Sequence, residues 1–169
     1  MTDEQRFADF VGNRAGTLYR YGYLLTGNHH DAEDLVQDAL IRLRAHWSRV
    51  NRNDDPVGYV RTTMTRLHIS KWRRHRHESP TSAVPDQGFV DPGLERAERA
   101  VNKALVWAAL ATLPPRQRAV LVLRFYEHLS DEEIAGTLGV SRGTVRSQAS
   151  RALDKLRAGG ISELTGAIR

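Results

Sequence analysis

Cysteine is missing from all 169 residues, which rules out disulfides, thiolate metal sites and cysteine nucleophiles and points to a reducing compartment. Long apolar runs are missing too: no stretch approaches the roughly 18 residues that a membrane span needs. No alternation of apolar and polar residues bounded by turns marks a strand. There is no phosphate-cradling glycine loop and no nucleophile-base pair, so neither an enzyme nor a cofactor is expected. The opening MTDEQRFADF starts with acids and lacks the basic-then-apolar order of a secretion signal, so a soluble, cytoplasmic protein is expected. Lysine is scarce, with 3 residues against 22 arginines.

What is present is a chain 40% hydrophobic, enough for real cores. Its 25 Lys and Arg outnumber 20 Asp and Glu, for a formal net charge of +5. That balance suits a polyanionic partner, and suits a solvated basic surface equally well. The charge is not spread evenly. ESPTSAVPDQGFVDPG, residues 78–93, holds three of the six prolines and three acids without a base, and reads as a flexible linker. Residues 1–77 carry 13 bases and 9 acids and residues 94–169 carry 12 and 8, so each flank is +4. Two small helical domains joined by that linker are expected.

In the first flank, Phe7, Phe10, Val11, Leu18, Tyr21 and Leu25 recur at helical spacing until Thr26–Asn28 breaks the pattern. A second helix is expected from about Asp31 to Trp47, with Leu35, Ala39, Leu43 and Trp47 on one stripe. Asp55 before Pro56 has the form of an N-cap with proline at the first helical position, opening a third helix with Val57, Val60, Met64 and Leu67 inward. After the linker, Asp91 and Pro92 repeat that start, and Leu94, Val101, Leu105 and Ala108 continue as a stripe. LPPRQR ends that helix and opens another running to about Glu127.

SDEEIAGTLGVSRGTVRSQASRAL, residues 130–153, carries the strongest signal. Ser130 and Glu133 have capping-box spacing, and Gly139 stops the helix within about two turns. Ser141 then caps a second helix after a three-residue turn, with small Ala135 and apolar Val145 flanking the glycine, as a helix-turn-helix requires. On that second helix Val145, Ala149, Ala152 and Leu156 make a narrow apolar stripe, while Gly143, Arg146, Ser147, Ser150 and Arg151 fan over the outer face. Small, hydrogen-bonding and guanidinium side chains suit a recognition helix in a major groove, with its capped N-terminus offering amides to a phosphate. An ordinary helical hairpin with a solvated basic face would share the periodicity but has no need of the cap, glycine and small residue in register.

With those motifs in place, the chain resembles the sigma-70-type sigma factors of bacterial RNA polymerase, in the compact extracytoplasmic-function (ECF) subgroup. Leu113–Arg157, from LPPRQRAVLVLRFYEHLSDEEIAGTLGV onward, resembles region 4; LLTGNHHDAEDLVQDALIRLRAHW, residues 24–47, resembles early region 2, and DPVGYVRTTMTRLHISKWRRHRH the later part. The resemblance implies a −35-reading helix using Arg142, Thr144, Arg146, Ser147, Gln148, Ser150 and Arg151. It implies −10 contacts from Arg66, His68, Lys71, Trp72, Arg73 and Arg74, and docking on core RNA polymerase through Asp34, Leu35, Val36, Gln37 and Asp38. Trp72 is open to two readings, a stacking platform or a core residue. Where many family members carry an asparagine associated with a flipped base, this chain has Arg66, which lacks the amide's paired donor and acceptor, so its −10 base preference stays open.

The implied partners are core polymerase, promoter DNA and an anti-sigma factor, with a monomer expected when free and no membrane insertion. Extended, the linker reaches roughly 55 Å, about one and a half duplex turns of roughly 34 to 36 Å. Asp86 and Asp91 either hold it in a basic polymerase channel or merely solubilise a tether. His29 and Glu33 share metal-ligand spacing, but the histidines are expected at a turn with no second ligand pair, so no metal site is expected. The rival function is a stand-alone regulator that uses this helix-turn-helix as a dimer over half-sites.

Overall fold

The computed structural model describes residues 1–52, 55–75, 106 and 108–159. The linker, Asp86, Asp91 with Pro92, and Leu94, Val101 and Leu105 lie outside the described residues. Every regular element among the described residues is helical, and the chain divides into two units, Met1–Pro80 and Thr81–Arg169.

The first unit holds α1 (Asp3–Thr26), α2 (His29–Arg52) and α3 (Pro56–His75). Helix α1 opens on a capping box: Thr2 Oγ1 accepts from Gln5 N at 3.2 Å and Gln5 Oε1 from Thr2 N at 2.8 Å. It ends at Gly27, whose φ of 76° only glycine adopts cheaply. The next residue already starts α2, because Asn28 Oδ1 accepts from Asp31 N at 2.8 Å. The helix therefore begins at His29, two residues before the expected start, and the two histidines sit in its first turn and not in a loop. It also runs past Trp47 to Arg52, since Val50 extends the buried stripe. Asp55 caps α3 as predicted, accepting from Gly58 N at 2.8 Å.

Leu35, Ala39, Leu43 and Trp47 are all buried, with Phe7 and Phe10 against the Trp47 ring at 5.3 and 5.5 Å. At Gly22 a Cβ would lie 3.1 Å from Met64 Cε and 3.3 Å from the Ala32 carbonyl oxygen, so its absence lets three helices close. Inside, Thr65 Oγ1 donates to the Arg61 carbonyl at 2.9 Å, so in the 2.6 Å bond to Tyr21 the phenol must be the donor. Of the expected inward residues of α3, Val60 and Met64 are fully buried, whereas Val57 and Leu67 are half-buried. Thr65 and Ile69 take the remaining inward places.

The second unit holds α4 (Pro115–Leu121), α5 (Asp131–Leu138) and α6 (Arg142–Ala158). Before α4, the buried residues are Ala109, Leu110 and Leu113, while Ala108, expected inward, is exposed. Past Leu121 the chain continues through a π-helical stretch, Val122–Tyr126, closed by Glu127 N to the Val122 carbonyl at 3.1 Å.

Arg118 is buried in this unit. Its Nε donates to the Leu110 carbonyl at 2.8 Å, and Nη2 to the Ala111 and Leu113 carbonyls at 3.1 Å each. The three acceptors end the preceding helical turn, where carbonyls carry partial negative charge, and the Leu110 carbonyl also accepts from Leu113 N at 3.1 Å. Burial lowers the guanidinium pKa to about 10, still far above neutrality, so it remains charged. Replacing it by leucine removes the guanidinium donor from the Ala111 and Leu113 carbonyls and leaves the Leu110 carbonyl only its bond from Leu113 N. Arg118→Leu is expected to destabilise the protein by roughly 2 to 4 kcal/mol in urea melts, and Arg118→Lys to recover little, because an ammonium lacks the planar fork.

Candidate nucleic-acid interface

Helix α5 starts with the predicted capping box, Ser130 Oγ accepting from Glu133 N at 3.2 Å and Glu133 Oε2 from Ser130 N at 2.8 Å. It ends at Gly139, φ 66°, with Val140 N returning to the Ala135 carbonyl at 3.1 Å. Ser141 Oγ then accepts from Thr144 N at 3.1 Å and starts α6. Val145, Ala149, Ala152 and Leu156 are at most 4% exposed, so the expected stripe is the face that packs inward. Arg142, Gly143, Arg146, Ser147, Ser150 and Arg151 are exposed, with Thr144 and Gln148 half-buried beside them. Ser147 gives its proton to the Thr144 carbonyl at 3.0 Å, which leaves its oxygen as an acceptor.

An acidic residue sits behind this face. Asp131, in the first turn of α5, takes Arg124 Nη2 on Oδ1 and Arg146 Nε on Oδ2, the latter at 3.3 Å. The Arg124 hydrogen bond, with a smaller contribution from Arg146, holds the Asp131 carboxyl below the usual aspartate range against the opposing effect of burial.

In the first unit, an open groove of about 820 Å³ runs between α2 and α3. Arg66, Arg73 and Arg74, three of the six residues that the resemblance assigns to the −10 element, line it together with Ser70, Thr63, Tyr59 and Leu67 of α3. Arg42 and His46 enter from α2, and the His46 and Tyr59 rings stand 6.5 Å apart at 68°. The sequence reading missed Arg42 and His46; their signal was an exposed basic pair four residues apart, off the buried stripe of α2. The other three expected residues are not in this lining. Lys71 Nζ lies 3.7 Å from Asp31 Oδ1, His68 Nε2 is shielded from solvent, and Trp72 is half-buried.

On α2, Leu35 and Val36 are core residues and cannot themselves reach a partner. Gln37 and Asp38 are exposed, Asp34 is half-exposed with His30 at 3.6 Å, and Ile41 completes the face at 63% exposure. Ile41 was also missed. It lies three and four residues beyond Asp38 and Gln37 and off the Leu35–Trp47 stripe, which is the pattern of an apolar residue kept for a partner.

The sigma-70 region 2 family matches residues 10–78 and the sigma-70 region 4 family residues 109–158. The RNA polymerase sigma-E factor of Streptomyces avermitilis is 38% identical over 152 residues, covering 89% of this chain and 83% of the relative. The ECF RNA polymerase sigma factor SigL of Mycobacterium tuberculosis is 30% identical over 145 residues, covering 85% and 82%. The chain belongs to the ECF RNA polymerase sigma factors. Among solved structures, the sigma factor RpoE of Bartonella quintana, in complex with the anti-sigma factor NepR, shares the fold at a TM-score of 0.67 and 22% identity, covering 91% of this chain and 96% of that one. The activity of this sigma factor is to direct promoter-specific transcription initiation by RNA polymerase. Region 2 followed by region 4 in one chain sets aside the stand-alone regulator.

The Asp131 pair is directly measurable. Its folded pKa is lowered, so the stability it contributes is present above the unfolded value of about 3.9 and is lost as pH falls through the folded value. Carboxyl NMR titration is expected to place Asp131 below the usual aspartate range, and Arg124→Gln to move it up.

Proposed function

We propose that α6 reads the −35 element, that the α2–α3 groove receives the unpaired −10 strand, and that the Asp34–Ile41 face of α2 docks on core polymerase. The observation that supports the first assignment best is the exposed, aromatic-free face of α6 held outward by a stripe that is almost wholly buried. An α-helix enters the major groove only if its outer side chains are short or can bond base edges, and Gly143, Ser147, Ser150 and three arginines meet that requirement. The groove has different chemistry: four arginines for phosphates, and the His46 and Tyr59 rings, with the half-buried Leu67 in the same lining, against which a base can stack. The α2 face suits a protein, since an exposed isoleucine flanked by carboxylates repels DNA and fits an apolar, basic-rimmed surface.

The protein acts without catalysing a reaction itself, in the cytoplasm, and an anti-sigma factor is its natural inhibitor. The deciding experiment mixes the chain with core RNA polymerase from Streptomyces coelicolor and maps transcript starts on genomic templates. New starts sharing −35 and −10 sequences are expected; an unchanged map would refute the reading.

Two substitutions separate the surfaces. Ile41→Glu is expected to weaken core polymerase binding at least tenfold, a loss of about 1.4 kcal/mol or more, in a fluorescence titration while DNA contacts by region 4 persist. Arg42→Ala with His46→Ala is expected to leave polymerase binding intact and to reduce open-complex formation, read by permanganate reactivity of unpaired thymines.

A further inference from the structure

We propose that Asp131, on the first helix of the helix-turn-helix, is a positioning residue that turns the outer edge of the Arg146 guanidinium toward a DNA base pair. The inference rests on the reading of α6 as the DNA-contacting helix. A guanidinium has five N–H donors, and recognition of a guanine edge needs two parallel ones. Here Arg146 donates through Nε to Asp131 Oδ2 at 3.3 Å. That leaves the Nη1 and Nη2 edge, and the side chain is 65% exposed, so the edge is open to a ligand. Bonding through Nε restricts rotation about the last side-chain torsions, which an arginine in water would otherwise sample freely.

The carboxylate is itself fixed. Its backbone lies in the first turn of α5, inside the Ser130–Glu133 capping box, and its second oxygen is taken by Arg124 from the π-helical stretch. Asp131 thus links three elements, and two cations against one anion keep the cluster net positive toward DNA. A partly exposed ion pair contributes little to stability; what it changes is orientation. A positioning role therefore predicts lost sequence discrimination in a protein that still folds and still binds DNA.

The test uses the full chain assembled with Streptomyces coelicolor core polymerase and promoter duplexes randomised across the −35 hexamer above a fixed −10 element. Captured duplexes are sequenced. Arg146→Ala identifies the base pair that depends on Arg146. Asp131→Ala is expected to cut discrimination at that same pair about fivefold or more while binding to random-sequence duplex stays equal or rises, because a negative charge has left the interface. Asp131→Glu should restore part of the discrimination, and the Asp131→Ala, Arg146→Ala double variant should lose no more than Arg146→Ala alone. If Asp131→Ala melts below the assay temperature, the isosteric Asp131→Asn takes its place. A uniform loss on all duplexes, or losses that add in the double variant, would overturn the proposal while leaving the function intact. An unmutated protein that selects no −35 sequence would instead overturn the DNA-reading assignment of α6, and this inference with it.

Discussion

Seating a 17-residue helix on four side chains, two of them alanines, is the constraint from which the C-terminal unit follows. Val145, Ala149, Ala152 and Leu156 bury fully but cover less than half of the circumference of α6, so the remaining face is committed to solvent or a ligand. Such a narrow seat tolerates little misalignment. The turn before it is correspondingly fixed at both ends, by a left-handed glycine at Gly139 and by the Ser141 side chain on Thr144 N. Small Ala135 completes the arrangement, because a larger residue on α5 would lift α6 off its seat. Orientation of the reading face is thereby set by packing and capping within about 30 residues of chain.

Among the described residues, three of the environments that arginine meets show its planar fork suited to each for a different reason. Arg118 is almost out of water, and its desolvation is offset by three carbonyls at a helix end, which a fork can satisfy together. Arg124 and Arg146 share one carboxylate, a geometry that fixes direction more than it stabilises. Arg42, Arg66, Arg73 and Arg74 converge on an open groove, where several like charges this close are tolerable because water screens them and become favourable once a phosphate arrives. The excess of arginine over lysine has a physical use at each of these places.

The helices were legible in the sequence wherever one residue type has one reason to occur. Asp55 with Pro56, Ser130 with Glu133, Gly139 and Ser141 were all read correctly because capping and left-handed backbone have few chemical solutions. Less legible were residues whose environment depends on a distant element. Asn28 serves one helix start while Gly27 ends another, so α2 gained a turn that periodicity alone did not assign. Ala108 and Leu67 follow the helical period yet are exposed and half-buried, because facing inward requires a neighbour at that height. The residues expected at the −10 element lie within one short stretch, Arg66 to Arg74, and a helix distributes any such stretch around its axis: Arg66, Arg73 and Arg74 line the groove, and His68, Lys71 and Trp72 do not. Arg42 and His46 show in the sequence only as a basic pair off the buried stripe of α2, and it takes folding to bring them alongside α3.

That distribution explains why the two surfaces we propose to face DNA differ in kind. Helix α6 contains no aromatic residue, and a duplex offers none of its base faces, only edges, so rings there would add bulk without a partner. The α2–α3 groove holds His46, Tyr59 and the half-buried Leu67 among its cations. In the proposed role those groups serve bases that have left the stack, the rings offering a stacking surface and the arginines neutralising the backbone phosphates. Leu67 reaches the groove because α3 follows Val60 and Met64 inward with Ile69 and Thr65, which rotates Leu67 to the rim of the core. The same residue therefore closes the edge of the hydrophobic interior and adds an apolar side chain to the lining of the groove.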